Sequence, residues 1–200
     1  MKKVFLFLLL ISSVSFLNAQ EENDNIETLL KKPSKVRGYF GSISNITTLN
    51  GESAFLSGMQ AAGIFNDHFI FGFYRLNLEN NSFTNDNFIN PDYELEFDHR
   101  GLILGYIFMP KRVIHFNTNL QLGQGDLDIY NDALGHWTYD DFVFIVSPSV
   151  EVEFNVAKFL RVGVGANYQF AFDVNEIENY KNEDFSDFGA FVSFKFGWFK

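Results

Sequence analysis

Apolar and polar residues alternate with a period of two in eight stretches of this chain. In the seventh stretch, Leu160 and Val162 fall on one face while Arg161 and Gly163 fall on the other. Successive side chains of a β-strand point to opposite faces, so this period predicts strands rather than helices. The predicted strands run over about 36–47, 53–65, 68–78, 95–109, 113–122, 142–154, 159–172 and 188–200.

The connections between the predicted strands alternate between short and long. Tight turns follow the second, fourth and sixth strands, and long polar segments at 79–94, 123–141 and 173–187 follow the third, fifth and seventh. Membrane barrels are built this way, with short periplasmic turns and long extracellular loops. The order predicts an all-β fold, an eight-stranded antiparallel up-and-down transmembrane β-barrel.

The alternation alone does not tell which face of the barrel is apolar. A transmembrane barrel turns its apolar face to lipid, whereas a soluble periplasmic lipocalin-like binder would turn it inward around a ligand. Charged residues on the polar face of neighbouring strands favour the membrane, because a small barrel can pair them inside: Glu151, Glu153, Arg161 and Lys195. Aromatic residues also indicate two interfacial girdles, with Phe65, Phe108, Phe154, Phe159 and Trp198 near the turns and Tyr74, Phe97, Phe142, Phe172 and Phe188 near the loops.

The first residues have the features of a secretory signal peptide. Lys2 and Lys3 precede an apolar run over 4–11, and Asn18-Ala19-Gln20 offers a cleavage site. The run is too short for a membrane-spanning helix, which disfavours an anchor. We therefore predict a signal peptide at 1–19, a periplasmic tail at 20–35 and a barrel domain at 36–200.

Charge and cysteine content narrow the class of protein further. The 200-residue chain has 15 basic and 25 acidic residues, and removal of two leader lysines leaves 13 basic residues and a net charge of −12. Such a balance argues against nucleic acid as a partner, because phosphates would be repelled. The chain has no cysteine, so its stability rests on strand pairing and packing.

From Val36 onward the chain resembles the small eight-stranded outer-membrane barrels of Gram-negative bacteria, the OmpX-like and OmpA-like proteins, and its leader is similar to those of Bacteroidetes-type barrels. The resemblance implies an outer-membrane location and contact with outer-membrane lipid and lipopolysaccharide. It also implies recognition by the barrel-assembly machinery, which reads a C-terminal aromatic residue. Trp198 and Phe199 match that assembly signal, one residue short of the end.

Two groups of charged residues are candidates for binding or transport. The four residues of the polar face either gate a narrow passage for ions or small molecules, or only neutralise one another in a closed core. Asp126, Asp128 and Asp132 alternate in the second long loop and form a candidate ion site. Asn131 replaces the glycine that an EF-hand loop needs, so a solvated acidic loop is the favoured interpretation.

One cluster raises the hypothesis of a lipid A-modifying enzyme. His136 and Thr138 lie close to Asp140 and Asp141, but no histidine has a serine two positions away. The favoured prediction is therefore a non-enzymatic envelope protein that presents extracellular loops to an unidentified partner, with no cofactor and no metal. The alternatives are the narrow channel, the lipid A-modifying enzyme and the lipocalin-like binder.

Overall fold

A computed structural model describes residues 35–79, 93–131, 136–175 and 180–199 of the protein. The predicted signal peptide lies outside the described residues, as does the predicted tail apart from Lys35, and both stay predictions. Within the described ranges, no helix is long and apolar enough to cross a membrane.

Eight antiparallel strands close into a barrel. Each strand pairs with its neighbour along the chain, and β1 also pairs with β8, which leaves the sheet of the barrel wall without a free edge. The predicted fold class is confirmed. The strands are β1 (Val36–Leu49), β2 (Glu52–Phe65), β3 (Phe69–Leu78), β4 (Tyr93–Phe108), β5 (Ile114–Asn131), β6 (His136–Ala157), β7 (Leu160–Tyr168, resuming at Phe170–Phe172) and β8 (Phe188–Gly197).

The turns after β2, β4 and β6 are short, as predicted. Asn66 and Asp67, between β2 and β3, have φ angles of 53° and 67°. Asparagine and aspartate tolerate this left-handed conformation better than most residues, so they fit a tight reversal. Asn50 and Gly51 make a similar turn between β1 and β2, with φ angles of 49° and 80°. These turns set the register of both hairpins.

The prediction of a long loop over 123–141 was wrong. β5 continues to Asn131 and β6 begins at His136, with Leu127 opposite Asp141 and Asp126 opposite Phe142. β4 also extends upward and pairs with β5 as far as Tyr93. Only 132–135 separate the two strands, and these residues lie outside the described ranges. Strand structure therefore replaces most of the predicted loop.

These upper parts of β4, β5 and β6 form a three-stranded sheet that we call the extension, comprising residues 93–97, 127–131 and 136–141. The pairing of β3 with β4 ends at Asp98, and the pairing of β6 with β7 ends at Phe144. Both outer edges of the extension therefore lack a strand partner among the described residues. The extension projects beyond the closed barrel on the side of the long loops.

Exposure of the strands decides which face is apolar. The outward side chains of the barrel wall include many large apolar residues, while the charged side chains of the polar face are buried inside. The lipocalin-like alternative is wrong, since it requires the opposite arrangement. Two residues assigned to the loop-side girdle were also misplaced, because Tyr74 and Phe97 point into the barrel. The other girdle residues near the loops, Phe142, Phe172 and Phe188, are exposed.

Candidate functional site

The lower, periplasmic half of the barrel interior holds a buried ion-pair network. Lys195 Nζ lies 2.6 Å from Glu151 Oε2 and 2.7 Å from Glu153 Oε2. Arg161 Nη1 lies 3.0 Å from Glu153 Oε1. All four side chains are almost completely buried. The structure thus brings together the four charged residues that alternation placed on one face, and their two negative and two positive charges balance.

Three further polar residues complete this network. Asn117 Nδ2 donates to Glu153 Oε2 at 2.8 Å and to Glu151 Oε2 at 3.2 Å. His115 Nε2 lies 2.9 Å from Glu153 Oε1, and the Ser193 hydroxyl donates to Glu151 Oε1. A buried carboxylate is stable only when its oxygens are hydrogen-bonded and its charge is paired. These neighbours therefore explain how the carboxylates tolerate burial.

Sequence reasoning missed those three residues although a signal was present. His115 and Asn117 alternate on β5 with outward Phe116, and Ser193 falls on the same face of β8 as Lys195. A glycine makes further room for the network. A Cβ at Gly163 would overlap the Glu151 carboxylate, so the inward position on β7 opposite Glu153 has no space for a side chain.

The C-terminal aromatic residues close the periplasmic end of the network. The Phe199 ring lies 4.0 Å from the Arg161 guanidinium carbon, close enough for a cation–π contact, and packs 6.5 Å from the Tyr39 ring. Trp198 points the other way and is 81% exposed. The two residues of the predicted assembly signal therefore face opposite sides of the barrel wall, and their role in assembly stays a prediction.

The upper half of the interior holds many apolar side chains together with a few buried polar ones, and it is covered by the segment between β7 and β8. Phe185 is fully buried, with its ring 5.7 Å from Phe97 and 5.5 Å from Tyr180. Gln169 Nε2 donates to the Phe185 carbonyl at 3.0 Å, and the backbone N–H of Asn50 donates to the Asp184 carbonyl. We call this packed segment, 180–186, the plug. The strands also contribute buried apolar side chains to the interior, among them Leu49, Leu56, Leu76, Leu95, Leu127, Val143 and Ile145.

Very little space remains between the network and the plug. Among the described residues, the interior cavity between these layers has a volume of about 20 Å³. Asn45, Asn167 and Ser147 are linked there by side-chain hydrogen bonds of 3.2 and 3.0 Å. Eight strands enclose an interior that side chains can fill completely. Among the described residues, the interior between the network and the plug is therefore packed with side chains.

The candidate ion site lies in a different setting from the one predicted. Asp126 and Asp128 belong to β5 rather than to a loop, and Asp132 lies outside the described residues. Asp126 Oδ2 is 3.8 Å from Arg100 Nη2. Among the described side chains, no group of three or more acids or histidines is arranged to hold a metal ion.

The described histidine side chains have partners other than serine. His68 Nδ1 contacts the Ile107 carbonyl, His99 Nδ1 contacts the Tyr74 hydroxyl, and His115 contacts Glu153. The side chains of His136, Thr138 and Asp140 lie outside the described set. Asp141 is buried and accepts a hydrogen bond from the backbone N–H of Asn175 at 2.9 Å. That contact gives Asp141 a structural role at the barrel mouth.

Comparison with known proteins identifies the fold. No protein-family model matches the chain, and no curated protein matches it in sequence. Among solved structures, Neisserial surface protein A is similar with a TM-score of 0.60 and 12% identity, over 83% of this chain and 99% of that one. The chain has the fold of a small outer-membrane β-barrel. Two further barrels at lower similarity agree with this, and at such identities the likeness establishes the fold alone.

These two are the N-terminal β-barrel domain of OprF from Pseudomonas aeruginosa and the attachment invasion locus protein Ail of Yersinia pestis. For OprF the TM-score is 0.54 at 9% identity, over 80% of this chain and 96% of that one. For Ail it is 0.51 at 11% identity, over 81% and 96%.

The barrel lies in the outer membrane. Its outward face carries a belt of exposed aromatic and aliphatic side chains that water would not solvate, and the strands of its wall pair in a closed sheet. On the periplasmic side the belt ends in Phe108, Phe154 and Phe159, all of them exposed. These residues confirm the predicted aromatic girdle near the turns. Outer-membrane lipid is therefore the environment of the belt.

Proposed function

We propose that this barrel is a non-enzymatic surface protein, which holds an extracellular extension and loops in a fixed position for contact with a partner. The observation that carries the proposal is the packed interior. The ion-pair network fills the lower half, the plug fills the mouth, and the cavity between them measures about 20 Å³. A barrel whose described interior is filled between these layers leaves its loops and outer surface as the accessible places for contact with a partner.

The extension supplies a surface suited to recognition. Its inner face carries the buried Leu127 and packs on the plug through Phe97, while its outer face carries Glu96 and Asp128 in directly opposed positions. These opposed carboxylates make the outer face acidic, which is consistent with binding of a partner of opposite charge. Because these outward groups are acidic, the expected partner is basic.

The similar structures agree with a surface role without specifying it. One of them is described as a surface protein and another as an attachment invasion locus protein. Ail has also been crystallised with the heparin analogue sucrose octasulfate. The acidic outer face of the extension argues against a sulfated glycan as the partner of this chain. Lipopolysaccharide and the barrel-assembly machinery remain proposed partners for the wall and for the C-terminal residues.

Deleting the extension is expected to abolish partner binding and to spare the barrel. Residues 128–140 would be replaced by an Asn-Gly turn, which joins β5 to β6 at Leu127 and Asp141, two residues that already lie opposite each other. Outer-membrane vesicles with the full or the shortened protein would be tested on immobilised basic protein and on immobilised heparin. We expect at least tenfold less capture on basic protein for the shortened form. Equal capture by both forms would contradict the surface role of the extension.

The same structure predicts that the protein does not conduct ions. Purified protein in a planar lipid bilayer is expected to give no current steps above the lipid background, because two packed layers close the interior. The second candidate function, a narrow channel, is favoured by one observation: Lys195 contacts both carboxylates, so its ion pairs could exchange partners. Steady current steps that Lys195→Met alters, with those of Lys111→Met unchanged, would establish the channel instead.

A further inference from the structure

A pocket lies at the periplasmic end of the barrel, opposite the plug and the extension. The turns after β2, β4 and β6 line it, together with the start of β1 and Phe199 beyond the end of β8. Its volume is about 490 Å³, within the roughly 300–1,000 Å³ range of small-molecule sites. We call it the periplasmic pocket, and its charged lining residues are Lys35, Arg37, Asp67, Lys111, Lys158 and Arg161.

The periplasmic pocket concentrates positive charge on an acidic protein. After removal of the leader the chain has 13 basic residues, and five of them line this one pocket. Asp67 is the only acidic residue among the described residues that line it. The mature chain has a net charge of −12, so this end of the barrel differs in sign from the molecule as a whole. Such a concentration of cations favours an anionic ligand.

Asp67 balances only part of this charge. Its carboxylate lies 2.8 Å from Arg37 Nη1 and 3.8 Å from Lys35 Nζ, so two cations share one negative charge. Lys111 and Lys158 are exposed and form no ion pair with a described residue. The ion-pair network balances the fifth cation. Three positive charges therefore remain without a negative partner in the described lining of the pocket.

Arg161 forms the floor of the periplasmic pocket and also belongs to the ion-pair network. Its Nη1 is bound to Glu153, and the Phe199 ring covers the guanidinium group at 4.0 Å from its carbon. Its Nε is buried and has no hydrogen-bond partner among the described residues. An unpaired buried donor is unfavourable, and an anion in the pocket would offer the missing acceptor. The floor therefore has a donor available for an oxyanion.

A second guanidinium group lies close to this floor. Arg37 is on the same face of β1 as the buried Tyr39, and its side chain is only 17% exposed. Its positive charge acts on Arg161. Guanidinium groups present planar forks that match phosphate and carboxylate oxygens. Because both arginines belong to the inner face of the barrel and not to the apolar belt, the ligand they fit is dissolved in water.

We propose that the periplasmic pocket binds a small soluble molecule with at least two phosphate or carboxylate groups. One anionic group lies against Arg37 and Arg161, and the exposed lysines Lys111 and Lys158 bind the second. The volume of the pocket favours a small molecule over a folded partner, and its excess of cations selects an anion. The proposal does not depend on the surface role of the extension, which lies at the other end of the barrel.

The test titrates the refolded protein in a neutral detergent with inorganic pyrophosphate and, separately, with citrate. Calorimetry at about 0.15 M salt screens charges more than about 8 Å apart, so a diffuse positive surface gives little signal. We expect saturable binding of at least one probe, and about tenfold weaker binding or less by the double variant Arg37→Gln and Lys158→Gln. The control Arg100→Gln and Lys181→Gln removes the same charge from the extracellular side and is expected to leave affinity unchanged.

The two probes distinguish the chemistry of the ligand. Binding of pyrophosphate alone would assign phosphate groups to it, and binding of citrate alone would assign carboxylates. No saturable binding of either probe would overturn the proposal, as would equal affinities of wild type and the double variant. A gel shift on boiling verifies that every variant is folded, and Lys158→Gln alone serves if the double variant is not.

Chemical acetylation of lysines places the bound probe on the structure. Saturating probe is expected to slow the acetylation of Lys111 and Lys158 severalfold, read by mass spectrometry, because an anion that contacts an ammonium group keeps it protonated and covered. Lys181 on the plug is the internal control, and its acetylation is expected to stay unchanged. Equal acetylation of Lys158 with and without probe would show that binding occurs elsewhere and would overturn the proposal.

Discussion

Replacing Lys195 with methionine is expected to lower the free energy of unfolding by about 3–5 kcal/mol, the cost typical of removing one partner from a buried ion pair. Lys195 is the only described cation that contacts both Glu151 and Glu153. Without it, two buried carboxylates face a single guanidinium group. The uncompensated charge remains in an interior that has no room for water to enter in quantity.

Urea titration of the protein in lipid vesicles, followed by tryptophan fluorescence and gel mobility, measures this loss. Lys111→Met on the exposed periplasmic turn is the matched control and is expected to change the free energy by less than about 0.5 kcal/mol. Adding Glu151→Gln to Lys195→Met restores charge balance through the Arg161–Glu153 pair, so the double variant is expected to be more stable than Lys195→Met alone. A single variant as stable as wild type would show that the network contributes little.

Truncating Phe185 to alanine is expected to release the plug while the barrel stays folded. The side chain is fully buried against Phe97 and Tyr180, and a buried Phe→Ala change costs about 3–5 kcal/mol. The plug lies in a connection between strands rather than in the wall, so the loss falls on a local opening. Opening would expose the backbone on the C-terminal side of Lys181.

Limited proteolysis with trypsin tests this directly. Lys181 is an exposed residue of the plug whose backbone N–H is bound to Asp184 Oδ2 at 2.8 Å. We expect cleavage after Lys181 to be at least a hundredfold faster in Phe185→Ala than in wild type. Phe188→Ala removes the same side chain from the lipid-facing surface and is expected to leave cleavage slow. Equal cleavage of all three proteins would mean that Phe185 does not hold the plug.

The wall of the barrel could be predicted from the sequence because one physical rule applies throughout it. Lipid on the outside and polar partners on the inside give each strand a strict period of two. On β7 this placed Arg161 inward, and on β8 it placed Lys195 inward. It could not tell which of their neighbours would meet, since register depends on turn geometry and on pairing across strands. The hydrogen bonds of Asn117 and Ser193 therefore appear only in three dimensions.

The sequence analysis did not predict the extension because the apolar-outside, polar-inside pattern of the barrel wall is inverted there. Above the membrane the outside is water and the inside is the plug, so Asp126 and Asp128 point out while Leu127 points in. Alternation was still present, but its acidic and glycine residues are typical of loops. The sequence of the plug gave less indication of its burial, because Phe185 lies in a single short turn that has no periodic apolar pattern. The burial of Phe185 depends on the space that the eight strands of the barrel enclose.

A single strand can run through both the barrel wall and the extension, so its outward side chains face lipid in one part and water in the other. Along β5, outward Phe116 and Leu122 lie in the lipid-facing segment, and outward Asp126 and Asp128 lie in the water-facing segment. Depth along the strand, and not only its facing side, therefore sets which substitutions a position tolerates. In related chains, we expect the lower outward positions to accept apolar side chains of different shapes and the upper outward positions to accept changes of charge. The boundary between these two kinds of position lies between Leu122 and Asp126.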